Sequence, residues 1–312
     1  MEARLKPLVK GILSFGIPAL RTTRQLGFAT TGAEYCYSVF LRHFSHVAKV
    51  TGGQLPRHVA ELGPGSSIAV GLAALLAGAE TYVGLDVADN TNDALNLKAF
   101  DQMVEMFRSR RPVPRSGAFV PVFTQPVDWD FPAALLPKLD QSLDPARLAR
   151  IRADIVQKSG TFIRLAAPWT GVDLLPAGSL DWIFSQSVME HVDDAALVYA
   201  CAARWLKPGG IMSHENDYTC HGVTRHWNGH WTIGSLGWTL LRGRRPYLIN
   251  RLTHSDHVAL LKAHHFEILE EILDVRNVDQ VPKSRFAPPF KAMTDRDACT
   301  AVAFLVARSI AR

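Results

Sequence analysis

The sequence predicts an α/β fold, a mostly parallel sheet with helices on both faces. Three observations predict it. Residues 59–61 read as an apolar strand, the glycine turn Gly63-Pro64-Gly65 follows, and a second strand over residues 81–85 ends at Asp86. Between residues 162 and 214 further apolar runs alternate with a helical pattern, which is the rhythm of a sheet covered by helices. Residues 299–307 are almost wholly apolar, as a strand buried on both faces must be.

Composition narrows the class. The chain has 312 residues, 47% apolar and 20% charged, within the range of globular proteins, and enough for one large domain with insertions. Its charge of +5, from 34 basic and 29 acidic residues, is only mildly basic and does not point to nucleic acid, which calls for a clustered basic face, so no nucleic-acid partner is expected. Cys36, Cys201, Cys220 and Cys299 lie far apart without a Cys-x-x-Cys pair. Neither zinc nor a disulfide framework is suggested, and reduced thiols in a cytoplasmic protein are expected.

Taken in order, residues 1–57 form an N-terminal helical cap ahead of the main domain, residues 58–312. Residues 6–20 are basic and then apolar, which suits a helix over the cofactor cleft or an amphipathic helix making peripheral contact with a membrane. Tyr35, Val39, Phe40, Phe44 and Val47 predict a helix that stops at Gly52-Gly53. In the glycine turn, Gly63 and Gly65 permit a tight bend and close approach of a ligand to the backbone. Ser66 and Ser67 are candidate N-caps, and Ile68, Leu72, Leu75 and Leu76 give the following helix one apolar face. This turn, with Asp86 at the tip of the second strand, is built to hold a nucleoside: backbone N–H groups face the ligand and a carboxylate accepts from ribose hydroxyls.

About seventy residues (roughly 91–161) then intervene before the third strand, long for one connection. They contain a helix over residues 94–107, a proline-rich stretch, and a helix opened by Asp144-Pro145 with Leu148, Ile151 and Ile155 buried. This insertion is read as a subdomain beside the active site. The third strand is residues 162–168 and the fourth residues 179–187. A helix capped by Asp193-Asp194 leads to Lys207-Pro208-Gly209-Gly210 and a fifth strand ending at His214. A second insertion, about 216–254, is rich in His, Trp and Arg. A helix over residues 255–264 and a strand over 266–274 precede the last apolar strand.

The detail of the motifs favours one family. A dinucleotide fingerprint is not completed, because Ile68 stands three residues after Gly65. Glu61-Leu62-Gly63-Pro64-Gly65 instead resembles the first motif of class I S-adenosylmethionine-dependent methyltransferases. The run Ser179-Leu180-Asp181-Trp182-Ile183, continuing through Val188-Met189-Glu190-His191-Val192 to Lys207-Pro208-Gly209-Gly210, resembles the small-molecule branch that includes ubiquinone and menaquinone methyltransferases. Two departures stand out. Ser67 replaces the usual third glycine, and Ala166-Ala167-Pro168 lacks the acid often found after the third strand. The resemblance implies a Rossmann-like sheet of seven strands, the last antiparallel, and S-adenosyl-L-methionine as cofactor. It implies that Glu61, Gly63, Gly65, Ser66, Asp86, Ser185 and Gln186 bind it.

Methyl transfer to a hydroxyl needs in-line alignment and a base for the proton. His214 and Asp217, leaving the fifth strand, are the preferred base and orienting acid. His191 is a further candidate, or a histidine that packs at a helix start. His214, Asp217 and His221 have metal-ligand chemistry, but their spacing is no recognised motif, and no metal is expected. The aromatic run His226-Trp227-Asn228-Gly229-His230-Trp231 suits stacking on a sugar or aromatic acceptor, or a satellite core. Arg242-Gly243-Arg244-Arg245 suits a phosphate or carboxylate, or a solvated face. O-methylation of a small-molecule or sugar-containing acceptor is expected, from the histidine-rich cleft and the lack of an Asn-Pro-Pro-Tyr type motif. C- or N-methylation of a quinone or lipid precursor, or a non-catalytic nucleoside-binding protein, are the alternatives.

Overall fold

The computed structural model describes residues 2–21, 32–115, 122–246 and 248–310. Seven strands form one sheet: β1 (His58–Leu62), β2 (Thr81–Leu85), β3 (Ile163–Ala166), β4 (Leu180–Gln186), β5 (Leu206–Asp217), β6 (Phe266–Val275) and β7 (Thr300–Ser309). Their order is β3-β2-β1-β4-β5-β7-β6. The first five pair parallel with one another, and β7 lies antiparallel between β5 and β6. The strand order reverses between β1 and β4, the switch point at which an open α/β sheet opens a ligand crevice.

One face is covered by α2 (Ala33–Thr51), α3 (Ala69–Leu76), α4 (Asp93–Arg108), the short α5 (Leu136–Ser142) and α6 (Pro145–Gln157), whose buried apolar residues share one core cluster. The other face is covered by α7 (Ala195–Trp205) and α9 (His254–Ala263). The local reasons are those of the sequence. Asp144, Asp194 and Thr253 accept backbone N–H groups at the starts of α6, α7 and α9, and Gly52 ends α2 in the left-handed conformation.

Two expectations change. The first insertion is not a separate subdomain. Phe100, Met103 and Phe107 of α4 and Leu148, Ile151 and Ile155 of α6 bury into the same core as α2 and α3, so its helices complete the layer. Helix α3 has no single apolar face: all eight residues are buried, because it is wedged between the sheet and its neighbours. At its start Ser67 Oγ accepts from Ala69 N at 3.2 Å, as expected of a cap. Asn96 of α4 accepts from Ile68 N (3.1 Å) and Ser67 Oγ (2.9 Å), so a side chain from another helix also satisfies this terminus.

α1 (Leu5–Leu13) packs on α8 (Ser235–Arg242), which lies in the second insertion. Among the described residues no helix is long and apolar enough to cross a membrane.

Candidate active site

The carboxyl ends of β1 and β2 carry the glycine turn. Gly63 (φ +65°) and Gly65 (φ +67°) are both left-handed. Gly63 N–H donates to Leu85 O at 2.8 Å, and a Cβ at Gly63 would stand 2.7 Å from Val188. Beside Gly65 there is open space, with nothing within 4 Å of where a Cβ would stand. Asp86 closes this corner. Its carboxylate accepts from Gly65 N (2.9 Å) and Val87 N (2.7 Å), while burial raises its pKa above the ordinary carboxylate value. An open glycine backbone beside a half-buried carboxylate fits the ribose end of a nucleoside cofactor. Ser66 stands half-buried in the same turn.

Glu61 lies beneath the turn. It is buried, accepts from the Tyr82 hydroxyl at 2.7 Å, and burial pushes its carboxyl up to about 8. Helix α3 passes close by at Gly71, where a Cβ would collide with the Tyr82 ring. Glu61 therefore braces the turn from below through Tyr82.

Ser185 and Gln186 are still within β4, and their side chains are spent inside the protein. Ser185 Oγ bonds His214 Nδ1 at 2.7 Å on one face of the sheet. On the other, Gln186 bridges Glu215 (2.5 Å) and His43 (3.1 Å). The chain leaves the sheet one residue later, at Ser187 (φ +53°), and Val188 is the side chain that meets the glycine turn.

The expected pairing of His214 with Asp217 does not form. Side chains on a strand alternate between faces, so residues three apart point to opposite sides, and β5 runs on to Asp217 because β7 pairs it there, Asp217 opposite Val302. His214 is buried, its Nε2 is 3.5 Å from Met212 Sδ, and burial lowers its pKa to about 3. It is a core histidine held neutral.

Asp217 instead partners His221. Asp217 Oδ1 accepts from Thr219 N at 2.7 Å, which turns the chain back, and His221 Nε2 then lies 3.5 Å from Asp217 Oδ2. His221 also stands 4.0 Å from Glu190 Oε1 and packs edge-on against His191, ring centroids 4.9 Å apart. Glu190 is 2% exposed, and neither carboxylate oxygen makes a hydrogen bond, although backbone N–H groups of Glu190 and Asp217 lie near enough to favour the ion slightly. Burial, with the nearby Asp217 charge, holds its pKa well above the ordinary value. The Asn250 side chain fixes this loop by donating to Met189 O and Val192 O, both at 2.8 Å. Glu190, His191 and His221 bring ligand atoms within 4.8 Å of one another, so among the described residues these three, not His214, are the ones that could hold a metal ion.

The site thus gathers His191 and Asp217, as expected, with Glu190 and His221, and excludes His214. Glu190 carried a signal in the sequence, an acid immediately after an apolar strand; Asn250 carried none. The aromatic run of the second insertion is a satellite core, with Trp231 fully buried among Tyr218, Val281 and Phe286. Arg242 pairs with Asp193, and Arg245 donates to the carbonyls of Pro7 and Leu241. A cleft of about 760 Å³, lined in part by Arg57, Glu80, Asp181 and Lys207, lies at the opposite end of the strands and shares no residue with the glycine turn.

Residues 139–213 match a family model described as a methyltransferase domain. This part of the chain is similar to a methyltransferase domain. S-adenosyl-L-methionine is the chain's cofactor, and the glycine turn, which lies outside the matched residues, supports this independently. The match is to methyltransferase domains in general and not to the quinone branch. No curated protein matches the chain. Similar solved structures include a methyltransferase from Methanosarcina mazei, 13% identical over 85% of this chain and 98% of that one, TM-score 0.42. Another is an S-adenosylmethionine-dependent methyltransferase from Mesorhizobium loti, 14% identical over 90% of this chain and 99% of that one, TM-score 0.39.

Proposed function

We propose that this methyltransferase O-methylates a small-molecule or sugar-containing acceptor, and that Asp217 and His221 remove the hydroxyl proton. The observation that carries the reading is the buried Glu190 carboxylate without a hydrogen-bond partner, beside the half-buried Asp217 and the exposed His221. Buried polar atoms are nearly always paired, so a donor brought by the acceptor is the natural partner for Glu190. With the proton of neutral His221 on Nε2, 3.5 Å from Asp217 Oδ2, Nδ1 keeps the lone pair that takes the proton. His191 packs against His221 and fixes its ring. Bound cofactor supplies the electrophilic methyl group. Gly63, Gly65, Ser66 and Asp86 hold it, and Glu61 supports the turn. No metal is required on this reading, no nucleic acid is a partner, and the compartment is the cytoplasm, with α1 in peripheral contact with a membrane.

Incubation with methyl-labelled cofactor and a small-molecule cell extract, followed by mass spectrometry of the labelled product, tests this. A methyl ether supports the reading. Label on carbon or nitrogen overturns it in favour of the C- or N-methylating alternative on a quinone or lipid precursor, which the apolar face of α1 suits.

A further inference from the structure

Helices α1 and α8 form a pair whose inner side is locked and whose outer side is greasy. A Cβ at Gly11 would collide with the carbonyl oxygens of Leu240 and Leu241, and one at Gly243 with the carbonyl oxygen of Gly11, so the two backbones touch. Ser14 Oγ accepts from Arg244 N at 2.8 Å, and Arg245 donates to Pro7 O at 3.1 Å, which bolts the crossing. Trp238 and Leu241 turn inward. What remains outside is Leu5, Val9, Ile12 and Leu13 on α1, at i, i+4, i+7 and i+8, then Phe15 and Ile17, with Leu236 and Leu240 on α8. Leu5 is 74% and Leu236 76% exposed. Single exposed apolar side chains are ordinary; a stripe on each of two helices in contact is not.

The charge on these segments has one sign. Arg4, Lys6, Lys10 and Arg244 are exposed, and no acidic residue occurs in residues 3–20 or 232–252. An apolar face on two segments whose own charges are all cationic matches an anionic lipid headgroup layer over acyl chains, and a second copy of the same face would bring like charges together. We infer that α1 and α8 together dock the protein on an anionic bilayer surface. This extends the contact proposed for α1 and rests on no assignment of acceptor or base. The docking face is also tied to the site: Arg242, at the end of α8, pairs with Asp193, two residues beyond His191.

Flotation of the full chain with vesicles of phosphatidylglycerol and phosphatidylcholine in equal parts, against vesicles of phosphatidylcholine alone, tests the inference. Binding is expected to the anionic vesicles and to fall steeply with salt. Losing one surface cation is expected to weaken it about fivefold, so Lys6→Gln with Lys10→Gln about twenty-fivefold. Leu5→Asp with Leu236→Asp is expected to abolish it, and Val278→Asp, an exposed position on another loop, to leave it unchanged. Cofactor titration on the same variants separates this inference from the enzyme reading: retained cofactor binding with lost flotation supports docking. Wild-type protein that binds cofactor but does not float, or floats equally with both vesicles, overturns the inference. So does lipid-free self-association that Leu5→Asp with Leu236→Asp abolishes, which would assign the face to a dimer.

Discussion

Glu61→Gln gives a quantitative test of how the glycine turn is built. The carboxyl is 4% exposed, and burial lifts its pKa from 4.5 to about 8. An acid whose folded pKa is raised contributes stability that is complete below the unfolded value and lost as pH rises through the folded one. The window is therefore pH 4.5 to about 8. At about 1.4 kcal/mol per pH unit, the loss reaches about 3 kcal/mol by pH 7 and about 5 kcal/mol in full. Glutamine keeps an oxygen to accept from Tyr82 and cannot ionise, so the variant escapes this loss. Denaturant unfolding of the cofactor-free protein at pH 5 and pH 7 measures it. The stability of Glu61→Gln relative to wild type is expected to rise by about 2–3 kcal/mol between the two. A difference that stays flat with pH would refute the reasoning, because Glu61 would then be ionised at neutrality without penalty.

Other outcomes follow from the same geometry. His221→Ala and Asp217→Asn are each expected to slow methyl transfer by about 10²–10³-fold while cofactor binding, read by calorimetry, is unchanged; His214→Gln, by contrast, is expected to lower thermal stability with a much smaller effect on rate per folded molecule. Gly63→Ala is expected to destabilise the protein by about 2 kcal/mol, through its left-handed backbone and the approach of Val188, and Val188→Ala to relieve only the steric part in the double variant. Chelation by EDTA is expected to leave turnover within about twofold of untreated enzyme. A large loss restored by one divalent ion would instead give Glu190, His191 and His221 the role of ligands.

The parallel sheet was legible because its signals are local. Apolar runs, the Gly63-Pro64-Gly65 turn, and the Asp144-Pro145 and Asp194 caps act within a few residues of themselves. What was misread depends on distant partners. At the N-terminus of α3 Ser67 accepts from Ala69 N as its local pattern suggests, but the Asn96 side chain that joins it lies far along the chain and no local pattern marks it. The first insertion looked like a subdomain because its length is unusual, but its apolar positions bury against α2 and α3. The site was half legible. Asp86, the glycines, His191 and Asp217 sit where motif spacing puts them. His214 was misassigned because β5 reads as ending there, whereas pairing with β7 carries it to Asp217 and turns His214 into the core. Strand parity alone excludes the His214–Asp217 pair once that length is known. His221 reaches the site through the turn that Asp217 itself stabilises, and its positive φ of 47° is not a property a sequence advertises for histidine.

The central claim is that the turn from Gly63 to Ser66, with Asp86, holds S-adenosyl-L-methionine. Calorimetric titration of the wild type and of Asp86→Ala tests it most directly. The wild type is expected to bind one equivalent. In Asp86→Ala, loss of a hydrogen bond between a charged group and ribose, worth about 1.5–3 kcal/mol, is expected to weaken binding about ten- to a hundredfold. A folded wild-type protein that binds no cofactor, or an Asp86→Ala variant that binds it as tightly, would contradict the account.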